Sequence, residues 1–405
     1  MRKKTRRLAA TLLAIASGSA HAAGFALIEQ NASGLGNAYA GAAAVAEDAS
    51  TIFFNPAGMT LLPDSQLAMA GHLIKPTIEF SGSVSPAVGG NQGGDAGSWA
   101  LVPSTYIARR LTPQLHAGLG INAPFGLKTH YDDDWVGRFQ AVESAAKTLN
   151  LNPSLAWKLG ETLSVGVGLN VQRMEATLSN RVSPSEPDSM TKIDASSYGW
   201  GYNLGLLWQA GAHTRIGLAW RSGVEHELEG RIKVRNSALL TSGRVKADMR
   251  LPATASLSVL HRLSADVDLL ADATWTGWSS FDRLSVSYAN GTPISSTPEN
   301  WNDIMRYSLG ATWRMNDRLS LRGGIAYEDA PMSNAFRTPR IPDGDRTWLA
   351  VGAQYRLSRQ GAVDVGYAHL FFRDPTLSKS GGGTTLNGRY SSAVDILGAQ
   401  YTHTF

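Results

Sequence analysis

The chain has 405 residues, of which 43% are hydrophobic and 17% charged, with 42 glycines and no cysteine. The charged fraction lies below the roughly 25% of an average soluble domain. The absence of cysteine excludes a disulfide scaffold, a thiolate nucleophile and a Cys-ligated metal. The formal charge of +4 is too small to indicate nucleic-acid binding, and after the first 22 residues no apolar run reaches the ~18 residues of a membrane helix.

Residues 1–22 have the pattern of a secretory signal peptide. Five basic residues precede a short apolar run at residues 8–16, and an A-x-A box occupies residues 20–22. This apolar run is too short to span a membrane, and the small-residue box predicts cleavage after Ala22. The chain is therefore expected to be exported, to the periplasm or the outer membrane.

Residues 23–65 show no strand pattern and are rich in small residues. Near its end the segment contains Phe53, Phe54, Asn55, Pro56 and Ala57. Proline lacks an N–H group and has a fixed φ, so it places a stiff break at the end of an apolar stretch. The composition predicts a small, partly helical hatch that plugs a larger domain, with Asn55-Pro56-Ala57 as its joint.

The remaining residues, 66–405, alternate between two faces. In residues 163–171, Leu and Val alternate with Ser, Gly and Asn, and in residues 198–208 aromatic residues and Leu alternate with Gly and Asn. This period of two indicates β-strands. A face of glycine, serine and asparagine opposite an apolar face favours a transmembrane barrel over a soluble sandwich.

Short polar turns alternate with longer stretches rich in Gly, Pro, Asp and Ser. Six short turns begin at residues 109, 158, 208, 261, 314 and 356, and the longer stretches are predicted to be external loops. This pattern predicts an all-β, antiparallel barrel of about fourteen strands. The predicted loops cover residues 81–98, 126–149, 181–195, 229–248, 289–302, 329–345 and 374–390.

Three segments resemble the FadL family of outer-membrane transporters of long-chain fatty acids and other hydrophobic compounds. They are residues 24–59, with the Asn55-Pro56-Ala57 signature, residues 122–141 and residues 337–355, with the IPDGDR sequence. The resemblance covers nearly the whole mature chain. It implies a barrel plugged by an N-terminal hatch, capture of ligand at external loops, an internal apolar pocket and lateral exit through a kinked strand.

By position in the resemblance, the kink falls at Pro124, Phe125 and Gly126. Pro124 cannot donate to a strand ladder, and Gly126 tolerates unusual backbone angles. A gap in the barrel wall suits a hydrophobic ligand, because such a ligand gains nothing from crossing an aqueous pore. The alternative is that Pro124 only marks the external end of its strand.

Two groups of residues are candidates for ligand contact. Trp135 and Phe139, in an acidic loop, are expected to form an apolar capture surface, although the loop could instead bind a cation or lipopolysaccharide. A carboxylate headgroup needs a cation at the polar end of its pocket, and the candidates are Arg337, Arg340 and Arg346. The alternative is an arginine–aspartate network that braces the strand ends, which we favour for Arg346.

No motif indicates an enzyme, a cofactor or a metal site. His226, between two glutamates, is expected to be a solvated loop residue. The expected function is passive transport of long-chain fatty acids in the outer membrane of a Gram-negative bacterium. Alternatives are uptake of neutral monoaromatic hydrocarbons, an outer-membrane phospholipase and a general polar porin. Expected partners are the hydrophobic ligand, outer-membrane lipid and lipopolysaccharide, with the protein as a monomer.

Overall fold

The computed structural model describes residues 24–405, so the predicted signal peptide lies outside the described residues. The chain begins with three one-turn α-helices, α1 (Ala32–Leu35), α2 (Ala42–Val45) and α3 (Thr51–Phe54), and a 3-10 helix (Pro56–Leu61). A second 3-10 helix covers Trp278–Ser280. Within residues 24–405, no helix is both long enough and apolar enough to cross a membrane.

Twenty strand segments follow, and all belong to one antiparallel sheet. The segments are β1 Ser65–Ser85, β2 Ala100–Arg110, β3 Leu115–Asn122, β4 Gly126–His130, β5 Glu143–Lys158, β6 Leu163–Asn180, β7 Met190–Gln209, β8 Thr214–Arg221, β9 Val224–Arg235, β10 Gly243–Leu251, β11 Thr254–Arg262, β12 Val267–Thr276, β13 Arg283–Tyr288, β14 Pro293–Pro298, β15 Ile304–Arg314, β16 Leu319–Glu328, β17 Arg346–Arg356, β18 Gly361–Phe372, β19 Thr376–Gly381 and β20 Thr384–Thr404.

The sheet closes on itself because β1 pairs with β20 over nearly their whole length. Six strands of the wall are each divided into two segments, so the twenty segments make fourteen wall strands. The divided strands are β3/β4, β8/β9, β10/β11, β12/β13, β14/β15 and β18/β19. Closure pairs each wall strand with a neighbour on both sides over at least part of its length. The predicted fourteen-stranded antiparallel barrel is confirmed.

Alternation along each strand separates an apolar outer face from a polar inner face. In β6, Val167, Leu169 and Val171 are exposed on the outside, whereas Asn170 and Gln172 are buried on the inside. This arrangement places apolar groups toward lipid and amides toward the lumen. The two faces predicted from the sequence are therefore confirmed.

The strands extend further at the long-loop end than the sequence predicted. β9 and β10 occupy most of residues 229–248, and His226 lies within β9 rather than in a solvated loop. His226 is buried, and its ring nitrogens lie 2.8 Å from Ser197 Oγ and 3.0 Å from Gln172 Oε1. The flanking Glu225 and Glu227 point outward. These extensions were missed because their outer face is charged rather than apolar.

Residues 24–64, which we call the hatch, fill the lumen, and inward-facing glycines admit them. A Cβ at Gly205 would overlap Asn55 Oδ1 and lie 2.9 Å from Pro56 Cδ. A Cβ at Gly217 would overlap the Ala43 carbonyl. The glycine-rich inner face of the barrel is therefore the surface against which the hatch packs.

Candidate functional site

The wall is broken where β3 passes into β4. β3 ends at Asn122 and β4 begins at Gly126, and the register against β5 shifts by one residue between them. On the other side, β2 pairs with β3 only as far as Thr105, although it continues to pair with β1 up to Ala100. Residues 100–104 of β2 therefore lack a ladder partner on the β4 side, which leaves an opening in the wall.

The predicted kink residues lie at this break. Pro124 does not end the wall strand, because β4 continues beyond it. The first described residues of the hatch contact the break through backbone hydrogen bonds. Leu27 N donates to Pro124 O at 2.8 Å, and Gly126 N donates to Phe25 O at 3.0 Å. The hatch thus supplies the hydrogen bonds that a neighbouring strand would otherwise make.

Phe25 anchors this end of the hatch. Its ring is buried 4.9 Å from the Trp278 ring and 6.0 Å from the Phe125 ring, measured between centroids. Gly24 N also donates to Asp343 Oδ2 at 2.8 Å. The strand break, the hatch and the loop before β17 therefore meet at one point.

A cavity of about 560 Å³, the lateral cavity, passes through the break. Its lining includes Leu101, which is 68% exposed on the outside, and Ile74 and Leu370, which are buried on the inside. Most of the lining side chains are apolar. The cavity is therefore lined by residues from both the inner and the outer face of the wall.

A smaller apolar cavity of about 70 Å³, the upper cavity, lies on the long-loop side of Phe25. Arg340, Glu299 and Lys246 are the charged residues in its lining. Arg340 Nη1 donates to Ser144 Oγ at 3.0 Å and Nη2 donates to Asn180 Oδ1 at 3.2 Å. Burial lowers the pKa of Arg340 to about 10 and raises the pKa of Glu299 to about 7. This cavity offers a cation beside an apolar space.

A third cavity of about 110 Å³, the lumenal cavity, lies between the hatch and the inner wall. Phe53, Phe54 and Pro56 form its hatch side. Arg346 lies at its charged end and donates from Nε to Glu328 Oε2 at 2.8 Å. Arg346 is therefore part of an ion pair, as the bracing alternative expected, but with Glu328 as the partner.

Asn55 joins the hatch to the barrel. Its Nδ2 donates to Ala43 O at 2.7 Å and to Leu206 O of β7 at 3.0 Å. Its Oδ1 accepts from Ala57 N at 3.1 Å, which caps the 3-10 helix that begins at Pro56. Such a cap satisfies an N–H that would otherwise be unpaired. The Asn55 side chain thus both caps the start of the 3-10 helix and contacts β7 of the wall.

The two aromatic capture candidates are buried rather than exposed. Trp135 is fully buried and stacks on Tyr131 at 4.0 Å between ring centroids, and its Nε1 donates to Ala141 O at 2.6 Å. Phe139 is 2% exposed. Both rings therefore hold the acidic loop together, in contrast to the expected apolar capture surface. Arg337 also braces a loop, because it donates to Asp343 O and Thr376 O.

Two arginines of the lumenal cavity were not among the sequence candidates. Arg221 ends β8 and Arg306 lies in β15, and both line the cavity beside Arg346. The sequence could have identified them from the alternation of inward-facing and outward-facing residues along each strand. Arg221 shares its face with inward Gly217, whereas Leu218 points outward. An arginine on the inner face of a barrel strand is a lumenal charge.

Comparisons with known proteins give a consistent result. Residues 13–405 match the family model described as outer membrane protein transport protein (OMPP1/FadL/TodX). The chain is 31% identical to outer membrane protein P1 of Haemophilus influenzae, over 91% of this chain and 90% of that protein. It is 28% identical to the long-chain fatty acid transport protein of Escherichia coli K12, over 90% and 92% of the two chains.

Solved structures share the fold. The crystal structure of a Pseudomonas aeruginosa FadL homologue superposes with a TM-score of 0.89 at 25% identity, over 94% of this chain and 99% of that one. The Pseudomonas putida toluene transporter TodX gives a TM-score of 0.72 at 16% identity, over 88% and 94% of the two chains.

Proposed function

Because the chain belongs to the FadL family of outer-membrane transporters of hydrophobic compounds, we propose that it carries long-chain fatty acids by passive diffusion. The family comprises transporters and channels, so the expectation that the chain is not an enzyme is confirmed, as is its place in the outer membrane. The observation that supports the proposal is the lateral cavity, whose lining includes residues from both the inner and the outer face of the wall. Relatives named as long-chain fatty acid transport proteins support the substrate class.

The proposed path begins at the long-loop end. The acyl chain enters the upper cavity, where Arg340 receives the carboxylate through charge-assisted hydrogen bonds. Displacement of Phe25 and Leu27 from the strand break then joins the cavities, and the ligand leaves sideways through the lateral cavity. Diffusion into lipid suits such a ligand because its apolar surface stays out of water.

In this proposal the hatch of residues 24–64 and the barrel of residues 65–405 have separate roles, and one chain suffices for transport. The barrel provides a closed wall, and the hatch blocks it. Asn55, Pro56 and Ala57 keep the hatch attached to β7 while its first residues move. Deletion of these three residues is expected to leave a folded barrel, seen as a heat-modifiable gel band, with impaired oleate uptake.

The proposal is tested by uptake of radiolabelled oleate into cells that express the protein. Ala123 lines the lateral cavity, so Ala123→Trp is expected to obstruct the exit and reduce uptake several-fold. Ala117→Trp on the same wall strand is the matched control, because Ala117 shares the outward parity of Leu115 and Leu119. Equal uptake by the two folded variants would contradict lateral exit.

Neutral monoaromatic hydrocarbons are the second candidate substrate class. Apart from its few charged and polar residues, the upper cavity is lined by apolar side chains. A neutral hydrocarbon needs no cation to bind in such a cavity. The two candidates differ in their dependence on Arg340. Oleate uptake no faster than in cells without the barrel, together with faster toluene uptake, would favour the hydrocarbon and refute the fatty acid.

A further inference from the structure

The lumenal cavity contains a buried guanidinium whose hydrogen-bonding groups are not all used. Arg306 is 3% exposed and donates from Nη2 to Ala38 O of the hatch at 2.8 Å. Its Nε and Nη1 have no hydrogen-bond partner among residues 24–405. Unpartnered buried donors on a charged group are costly, so this side chain is suited to an acceptor that enters the cavity.

Three arginines and two carboxylates line the cavity, and a third buried carboxylate, that of Glu29, interacts electrostatically with Arg346 and Arg306. Glu328 accepts from Arg346 and also lies 3.9 Å from Arg306 Nε, so one carboxylate serves two guanidiniums. Arg221 forms no salt bridge with any described residue. It donates instead to two neutral acceptors, Asn170 Oδ1 and Phe53 O.

Asp272 is the other acid in the lining, and it is already occupied. Its Oδ1 accepts from Thr274 Oγ1 at 2.7 Å, and its Oδ2 accepts from Ser258 Oγ. The unused donors in the cavity are therefore those of Arg306, and Arg221 lines the same space.

The rest of the lining is apolar and continuous with the exit. Leu27, Phe54 and Phe125 line the space beside the arginines. The lumenal and lateral cavities share Ala26, Leu27, Phe125 and Arg346 in their linings. About 110 Å³ accommodates a headgroup and the first methylenes, and a longer chain would extend past Phe125 toward the wall break.

We propose that Arg306 and Arg221 form a second headgroup site, in which the carboxylate of a fatty acid binds inside the lumen behind the hatch. This inference rests on the proposed function and deepens it, because it adds a binding site between the upper cavity and the lateral exit. The ligand class is an alkyl carboxylate, since a neutral hydrocarbon would leave the guanidinium donors unpaired.

The experiment measures equilibrium binding of radiolabelled laurate and, separately, of dodecanol to the purified, folded barrel. Arg340→Gln serves as the background, because it removes the guanidinium that is proposed to bind the carboxylate in the upper cavity. In this background, Arg306→Gln is expected to weaken laurate binding at least tenfold and to change dodecanol binding less than twofold. Arg221→Gln is expected to act in the same direction, and Arg306→Lys to retain binding.

Arg215→Gln is the matched control. Arg215 also donates to hatch carbonyls, those of Ala44 and Val45, but it does not line the lumenal cavity. It should leave binding of both probes unchanged. Equal weakening of laurate and dodecanol by Arg306→Gln, or unchanged laurate binding, would overturn the proposal.

A gel shift on heating verifies folding of each variant. If Arg306→Gln does not fold, laurate binding by Arg221→Gln tests the second headgroup site instead.

The proposed transport function has a separate test. Absence of oleate uptake by cells with the wild-type barrel would refute fatty-acid transport, whereas Arg306-dependent laurate binding to the purified protein would still establish the second site.

Discussion

Gly205→Ala is expected to displace the hatch joint without damaging the barrel. The added Cβ would overlap Asn55 Oδ1 and lie 2.9 Å from Pro56 Cδ and 3.0 Å from Asn55 Cγ. Neither side can yield easily, because Gly205 is held in the β7 ladder and Asn55 is bonded to Leu206 O and Ala43 O. Overpacking of this kind costs about 1–3 kcal/mol, which corresponds to roughly a 5- to 150-fold larger displaced fraction.

The chain has no cysteine, so one reporter thiol measures this fraction. Ser50→Cys places a thiol on a residue that is 2% exposed in the hatch. Its labelling by a polar maleimide should accelerate about 5-fold or more in Gly205→Ala. Gly323→Ala is the control, because a Cβ at Gly323 meets nothing within 4 Å. Labelling rates within twofold of each other in the two variants would refute the packing argument.

Two further predictions concern the long-loop end. Burial raises the pKa of Glu299 to about 7 while Lys379 and Arg340 act in the opposite direction, so Glu299 is neutral below pH 7 and negative above it. Octanoate should therefore bind the upper cavity more tightly at pH 6 than at pH 8, and Glu299→Gln should remove the difference in a binding titration; a difference that persists in this variant would contradict the assignment. Trp135→Ala should destabilise the acidic loop by about 3–5 kcal/mol, since a fully buried ring is lost, and should speed proteolysis of residues 131–142. Trp99→Ala, at a side chain that is 63% exposed, should leave the proteolysis rate unchanged.

The barrel was predictable because its signals are local. Outward Val167 and Leu169 alternate with inward Gly168 and Asn170 along a single strand, and each short turn lies between two such runs. The outer extensions were missed for the same reason. In β9 the outward residues change to charged ones such as Glu227, so the apolar alternation that identified the other strands is absent.

The sites were less predictable because they depend on contacts distant in sequence. Trp135 is buried by Tyr131 and Phe80, and the latter comes from β1. The three candidate arginines lie in different places in the structure. Arg337 donates to loop carbonyls, Arg340 lines the upper cavity and Arg346 lines the lumenal cavity. The inward glycines were visible as a pattern, but only the packed hatch shows that Gly205 faces Asn55.

The hatch is attached to the barrel at two places, one at its first described residues and one around Asn55. Its first residues are held at the wall break by hydrogen bonds of Leu27, Phe25 and Gly24, and by burial of one ring. Three hydrogen bonds at about 0.5–1.5 kcal/mol each, with about 1.5–3 kcal/mol for burial of the Phe25 ring, give roughly 3–7.5 kcal/mol. Asn55 and the helices around it lie deeper, with contacts to β5, β6 and β7 through the 3-10 helix. In the proposed transport path, release of residues 24–28 clears the break while Asn55-Pro56-Ala57 stays attached to β7.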